Sequence, residues 1–105
     1  MKIGVNSFLW TETLTTNDFG ILERLATAGL DGLEIGLLDP STLPAKALRQ
    51  ALEERKLACT MCCVIPRDAS LIAPDSSERK RGQQHVGRCI QIAAEVGATT
   101  LCGPL

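Results

Sequence analysis

The sequence predicts an α/β chain in which four parallel strands alternate with three helices. Short apolar segments of strand length recur at residues 2–8, 33–38, 58–65 and 99–102. Helix-period apolar stripes lie between them, bounded by capping and stop residues. At 105 residues the chain is one small domain or a piece of a larger one.

Taken in order, residues 2–8 read as the first strand, and Thr15 and Asp18 are spaced like a capping box. Leu22, Leu25 and Ala26 then follow at helical spacing, with Glu23 and Arg24 on the opposite face. The most informative stretch is Ala28-Gly29-Leu30-Asp31-Gly32-Leu33-Glu34-Ile35-Gly36. Gly29 suits the left-handed position past a helix end, Asp31-Gly32 is turn chemistry, and Leu33-Glu34-Ile35 resumes as a strand. A carboxylate inside such a strand costs free energy to bury unless it is paired or belongs to a site.

Pro40 and Pro44 break the chain, with Pro44 placed as a first helical residue. Leu48, Ala51 and Leu52 form that helix's buried stripe, and residues 53–56 its solvated end. After the third strand, a polar loop runs from Pro66 to about Pro74. Asp75 and Glu78 mark the start of a third helix, whose apolar face is Val86, Cys89, Ile90, Ala93 and Val96, and Gly97 closes it. Gly103-Pro104-Leu105 follows the last strand.

This β-α-β-α-β-α-β order implies parallel strands joined by right-handed crossovers. An open doubly wound sheet and a (β/α)8 barrel both use it. The loop after strand one, Asn6-Ser7-Phe8-Leu9-Trp10-Thr11, lacks the dinucleotide-binding glycines, and no P-loop is present. A complete barrel takes roughly 250 residues, so four strands are about half of one. The expected fold class is therefore a partial (β/α)8 TIM barrel.

A composition of 45% apolar and 22% charged residues is that of an ordinary globular chain. The net charge of -1 gives no case for nucleic acid or an anionic membrane as partner. No apolar run reaches the roughly 18–20 residues needed to span a bilayer. The N-terminus has no signal-peptide pattern, so the expected location is cytoplasmic. Five cysteines, an odd number set in apolar segments, read as reduced thiols. Cys59 and Cys62 fit a CxxC spacing, but on a strand residues three apart face opposite ways, which argues against a metal knuckle.

Together these segments resemble the sugar phosphate isomerase/epimerase family, the xylose isomerase-like TIM barrels, and within it the D-tagatose/D-psicose 3-epimerase branch. The resemblance rests on Ile3-Gly4-Val5 with Trp10, on residues 28–35, and on Met61-Cys62-Cys63. It continues through Pro74-Asp75 with Arg79 and Gly82, then Ala94-Glu95-Val96-Gly97-Ala98 and Gly103. It implies that residues 1–105 are the N-terminal half of the barrel, and with that a ketose substrate, free or phosphorylated, an enediolate intermediate, and a divalent manganese, magnesium or cobalt ion. The family's two glutamates, aspartate and histidine that hold the metal lie on later strands, so no catalytic residue and no metal ligand of this chain is implied. The resemblance carries over the near part of the sugar pocket: Asn6, Trp10, Glu34, Cys63 and Leu105. At Asn6 the chain departs from the aromatic residue that the epimerases often have.

Several of these residues have a plainer reading. Glu34 could pair inside the barrel, Trp10 could be a core aromatic, and Cys63 reads as a pocket-wall thiol. His85, the only histidine, reads as a solvated or half-buried helix residue. Arg79-Lys80-Arg81 reads as a solvated face, with phosphate binding as the alternative. Half a barrel leaves two open strand edges and an uncovered inner face. The chain alone is therefore expected to be inactive, a piece of a larger enzyme or one of two copies that close on each other as a homo-oligomer. The competing class is a non-catalytic half-barrel structural or oligomerising module. An endonuclease IV-like enzyme ranks below both, because the third strand ends Cys62-Cys63-Val64-Ile65-Pro66 without a histidine.

Overall fold

Gly4–Asn6 (β1), Gly32–Leu37 (β2), Ala58–Cys63 (β3) and Leu101–Cys102 (β4) form one parallel sheet in the order β1-β2-β3-β4. Gly20–Thr27 (α1), Ala45–Glu54 (α2) and Ser76–Val96 (α3) connect them in turn. This is a computed structural model, and it describes residues 1–104; Leu105 lies outside them. The sequential order of strands is the partial barrel that the sequence predicts, with no topological switch point such as a doubly wound sheet has.

All three helices pack on one face of the sheet. Leu33, Ile35 and Leu37 of β2 alternate with Glu34 and Gly36, and Cys59, Met61 and Cys63 of β3 alternate with Thr60 and Cys62. The first set of each strand is buried with Leu22, Leu25, Leu48, Leu52, Cys89 and Val96 in a single core. Strand alternation thus sends Glu34, Thr60 and Cys62 to the helix-free face, which is the inside of the barrel. Cys59 and Cys62 lie on opposite faces, as their spacing requires.

The first strand is shorter than the sequence suggests, because Asn6 turns the chain. Its Oδ1 accepts the Phe8 N–H at 2.8 Å and starts a 3-10 turn over Ser7–Leu9. The β1–β2 register therefore ends at Asn6 opposite Glu34. Beyond it, the Gly36 N–H donates to Ser7 Oγ at 2.9 Å, so the hydroxyl replaces the missing strand acceptor. Pro44 is likewise a cap residue, and α2 begins at Ala45. Asp18 accepts the Thr15 N–H at 2.8 Å, in keeping with the predicted box, although the turn it closes is 3-10.

The third helix departs most from expectation. Asp75 caps it by accepting the Ser77 N–H, and Gly97 ends it at φ 80°, as predicted. Its buried stripe, however, is Gly82, His85, Cys89, Ala93 and Val96, while Ile90 is 56% exposed. His85 is buried rather than solvated, because β3 offers it a partner: its Nε2 lies 2.9 Å from the Val64 carbonyl oxygen. A carbonyl oxygen only accepts, so Nε2 carries the hydrogen. Two of the three basic side chains that follow Glu78 are also engaged rather than free. Arg79 Nη1 donates to the Ala73 and Pro74 carbonyls at 2.7 and 2.8 Å, and Arg81 Nε to that of Asp68 at 3.0 Å. They pin the 66–74 loop to the helix, and the Ala69 carbonyl packs directly on Gly82.

Candidate functional site on the inner sheet face

In-register residues of parallel strands point the same way, so the inner face is built of rows. Gly4, Gly32 and Ala58 form the lowest row, Asn6, Glu34 and Thr60 the next, and Gly36, Cys62 and Cys102 the uppermost. The lowest row carries almost no side chain and leaves an open groove of about 580 Å³, which Lys2, Ile3 and Asp31 line at one end and Asn6, Glu34 and Thr60 at the other. It opens at the N-terminal ends of the strands, the floor of a closed barrel, and runs up to the Asn6–Glu34 row. Chemistry in such barrels sits at the C-terminal ends, which here are the two upper rows.

In those rows Asn6 Nδ2 donates to Glu34 Oε1 at 3.1 Å, and Asn6 Oδ1 is held by Phe8 N–H. The amide is therefore oriented from both ends and fixes one carboxylate oxygen of Glu34. Both residues are half-buried. Phe8, carried inward by the 3-10 turn, covers Gly36; a β-carbon there would lie 2.5 Å from the ring's Cε1, Cε2 and Cζ. The ring is 37% exposed and forms an apolar wall beside the polar row.

The expected pocket residues distribute unevenly. Asn6 and Glu34 are brought together. Trp10 ends the turn after Asn6 and is packed against the core as a half-buried aromatic. Cys63 faces the helices, fully buried in the core beside Cys89. Its neighbour Cys62 holds the inner-face position, and Leu105 lies outside the described residues. Phe8, Cys62 and Cys102 are inner-face residues that sequence reasoning missed. The signal for Cys62 was strand parity, counted from Glu34 through the β2–β3 register; for Phe8, the Asn6 turn signal.

Glu34, Cys62 and Cys102 offer one oxygen and two sulfur atoms, all within 4.8 Å of one another. Burial raises the Cys62 thiol above its ordinary range, helped by the neighbouring Cys102 and Glu34. One carboxylate and two thiols are a poor match for manganese or magnesium, which prefer oxygen-rich shells. The implied hard cation does not fit this donor set.

Residues 22–104 match the family described as the xylose isomerase-like TIM barrel. The chain belongs to that family. Among curated relatives, a ketose 3-epimerase of Arthrobacter globiformis is 28% identical over 104 residues, covering 98% of this chain and 36% of the relative. An L-ribulose 3-epimerase of Mesorhizobium japonicum is 22% identical, covering 99% and 35%. Among solved structures, a D-allulose 3-epimerase from Methylomonas sp., in complex with D-allulose, superposes with a TM-score of 0.88 at 20% identity, covering 98% of this chain and 36% of that one. The chain thus spans about a third of the length of the relatives it matches, their N-terminal part. Family membership and the inner-face rows agree: this is a partial xylose isomerase-like barrel. Among the described residues, no helix is long and apolar enough to cross a membrane.

Proposed function

We propose that this chain forms the near wall of the sugar pocket in a cytoplasmic, metal-dependent ketose 3-epimerase. The observation that carries the reading is the Asn6–Glu34 pair beside the Phe8 ring. A sugar presents hydroxyls along its edge and C–H groups on its face. An oriented amide and carboxylate can bind the former, and an aromatic wall packs on the latter. In this reading Glu34 accepts from a substrate hydroxyl, Asn6 fixes its rotamer, and Phe8 excludes water from the ring face.

The residues that remove and return the proton, and those that hold the cation, belong to the opposite wall. No step of the chemistry passes through Glu34. The relatives' sugars support a ketose substrate, and the free thiols suit a reducing compartment. A nuclease reading is disfavoured, because the only histidine is buried against Val64 rather than placed at a strand end.

C3 epimerisation of D-fructose and D-tagatose, with added manganese, tests the assignment. The chain alone turns over neither sugar. In an enzyme joining this chain to its metal-bearing wall, Glu34→Gln lowers kcat/KM by on the order of 10-fold or more, the scale of one hydrogen bond to a charged group. Turnover by the 105-residue chain itself, or unchanged kinetics in the variant, refutes the reading.

A further inference from the structure

We propose that Cys62, Cys102 and Glu34 form a binding site for one thiophilic divalent cation of the zinc class. This goes beyond the sugar reading and does not depend on it. The donors come from three neighbouring strands, β4, β3 and β2, whose positions the sheet fixes. Cys62 stands in register with Gly36 on one side and with Cys102 on the other. Adjacent strands are about 4.8 Å apart, so two cysteines paired on one face necessarily bring their sulfur atoms close. The Glu34 carboxylate lies one row below them on the same face, and the Phe8 ring that covers Gly36 walls the cluster on the β2 side. The three ligand atoms accordingly lie within 4.8 Å of one another.

Zinc binds thiolate sulfur at about 2.3 Å and carboxylate oxygen at about 2.0–2.2 Å, which sets tetrahedral ligand separations of roughly 3.5–3.8 Å. Side-chain rotation of about 1 Å closes the present triangle to that size. Three protein donors leave the fourth corner of the tetrahedron open to a further ligand. Two sulfurs select against magnesium and manganese and in favour of zinc or cadmium. The site is invisible to motif reading, because its cysteines are forty residues apart while the CxxC spacing falls on Cys59, which faces the core.

The test titrates zinc and cadmium into the 105-residue chain under a non-thiol reductant. Affinity is read against a chromophoric chelator, and sulfur ligation by the ultraviolet charge-transfer band of cadmium thiolate. One ion per chain is expected, with the band present and with no displacement by millimolar manganese or magnesium. Loss of an outer-shell partner weakens metal sites about 10–100-fold, so Cys62→Ser or Cys102→Ser, which removes a ligand, weakens binding on the order of 100-fold or more. Glu34→Gln weakens it about 10-fold and keeps the band. Cys102 is exposed, so its substitution removes no core packing and the test stands whatever Cys62→Ser does to the fold. Absence of the band, stoichiometric binding that survives Cys102→Ser, or displacement by manganese overturns the proposal.

Discussion

The Phe8 ring occupies the space above Gly36 that any larger residue at position 36 would claim. The two are joined through Ser7, whose hydroxyl accepts the Gly36 N–H. Glycine at 36 is therefore what lets the aromatic reach the inner face. Gly36→Ala should push the ring outward. The obstacle is the tip of a partly exposed side chain, so the stability loss should be small, about 1 kcal/mol, at the lower end of the usual range for overpacked cores. Nuclear Overhauser contacts between the Phe8 ring and residue 36 should disappear, while the sheet contacts persist. Retention of the ring contacts would show that Phe8 does not depend on the glycine.

Two glycines of α3 should respond in opposite directions. Gly82 carries the Ala69 carbonyl directly on its surface, and backbone cannot swing aside as a ring can. Alanine gains at most about 1 kcal/mol of helix propensity there. Displacing the loop held by Arg79 and Arg81 costs more, about 1–3 kcal/mol, so Gly82→Ala should destabilise. Nothing lies within 4 Å of a β-carbon at Gly87, so Gly87→Ala should stabilise by about 0.5–1 kcal/mol. Urea denaturation of both variants checks the sign of each.

Stability should fall in alkaline solution because two thiols stay protonated in the fold. Burial pushes Cys59 from 9.0 up to about 12, and burial together with neighbouring Cys63 pushes Cys89 to about 11. Above pH ~9 the unfolded chain releases these protons while the folded chain keeps them, so the folded state binds more protons and loses stability as pH rises. Each thiol contributes a slope of at most about 1.4 kcal/mol per pH unit until its folded value is reached. The chain has no tyrosine to confuse this window. Urea midpoints at pH 8 to 11 should decline steeply, and less steeply in Cys59→Ala.

The fold was legible because periodicity and punctuation agreed. Leu33, Ile35 and Leu37 alternate with Glu34 and Gly36, and Gly29, Asp75 and Gly97 mark helix ends by backbone chemistry that needs no partner. The site was less legible for a reason of parity. In β3 both faces carry sulfur, Cys59, Met61 and Cys63 against Cys62, so composition does not say which thiol looks inward; only the register with Glu34 decides. His85 was misplaced because burial of a polar ring depends on a carbonyl partner twenty-one residues away, which no local pattern contains. Phe8 reaches the inner face only because Asn6 ends β1 two residues earlier, a side-chain-to-backbone bond that competes with the strand.

In the proposed reading, the helix-free face of the sheet, not the helical one, meets the sugar. Titrating D-tagatose or D-fructose into the ¹⁵N-labelled chain, with amide shifts followed residue by residue, tests it most directly. On this reading, shifts cluster at Asn6, Phe8, Glu34, Gly36 and Cys62 and fade in Glu34→Gln. Shifts confined to α1, α2 or α3, or no change at any ketose concentration, would contradict it.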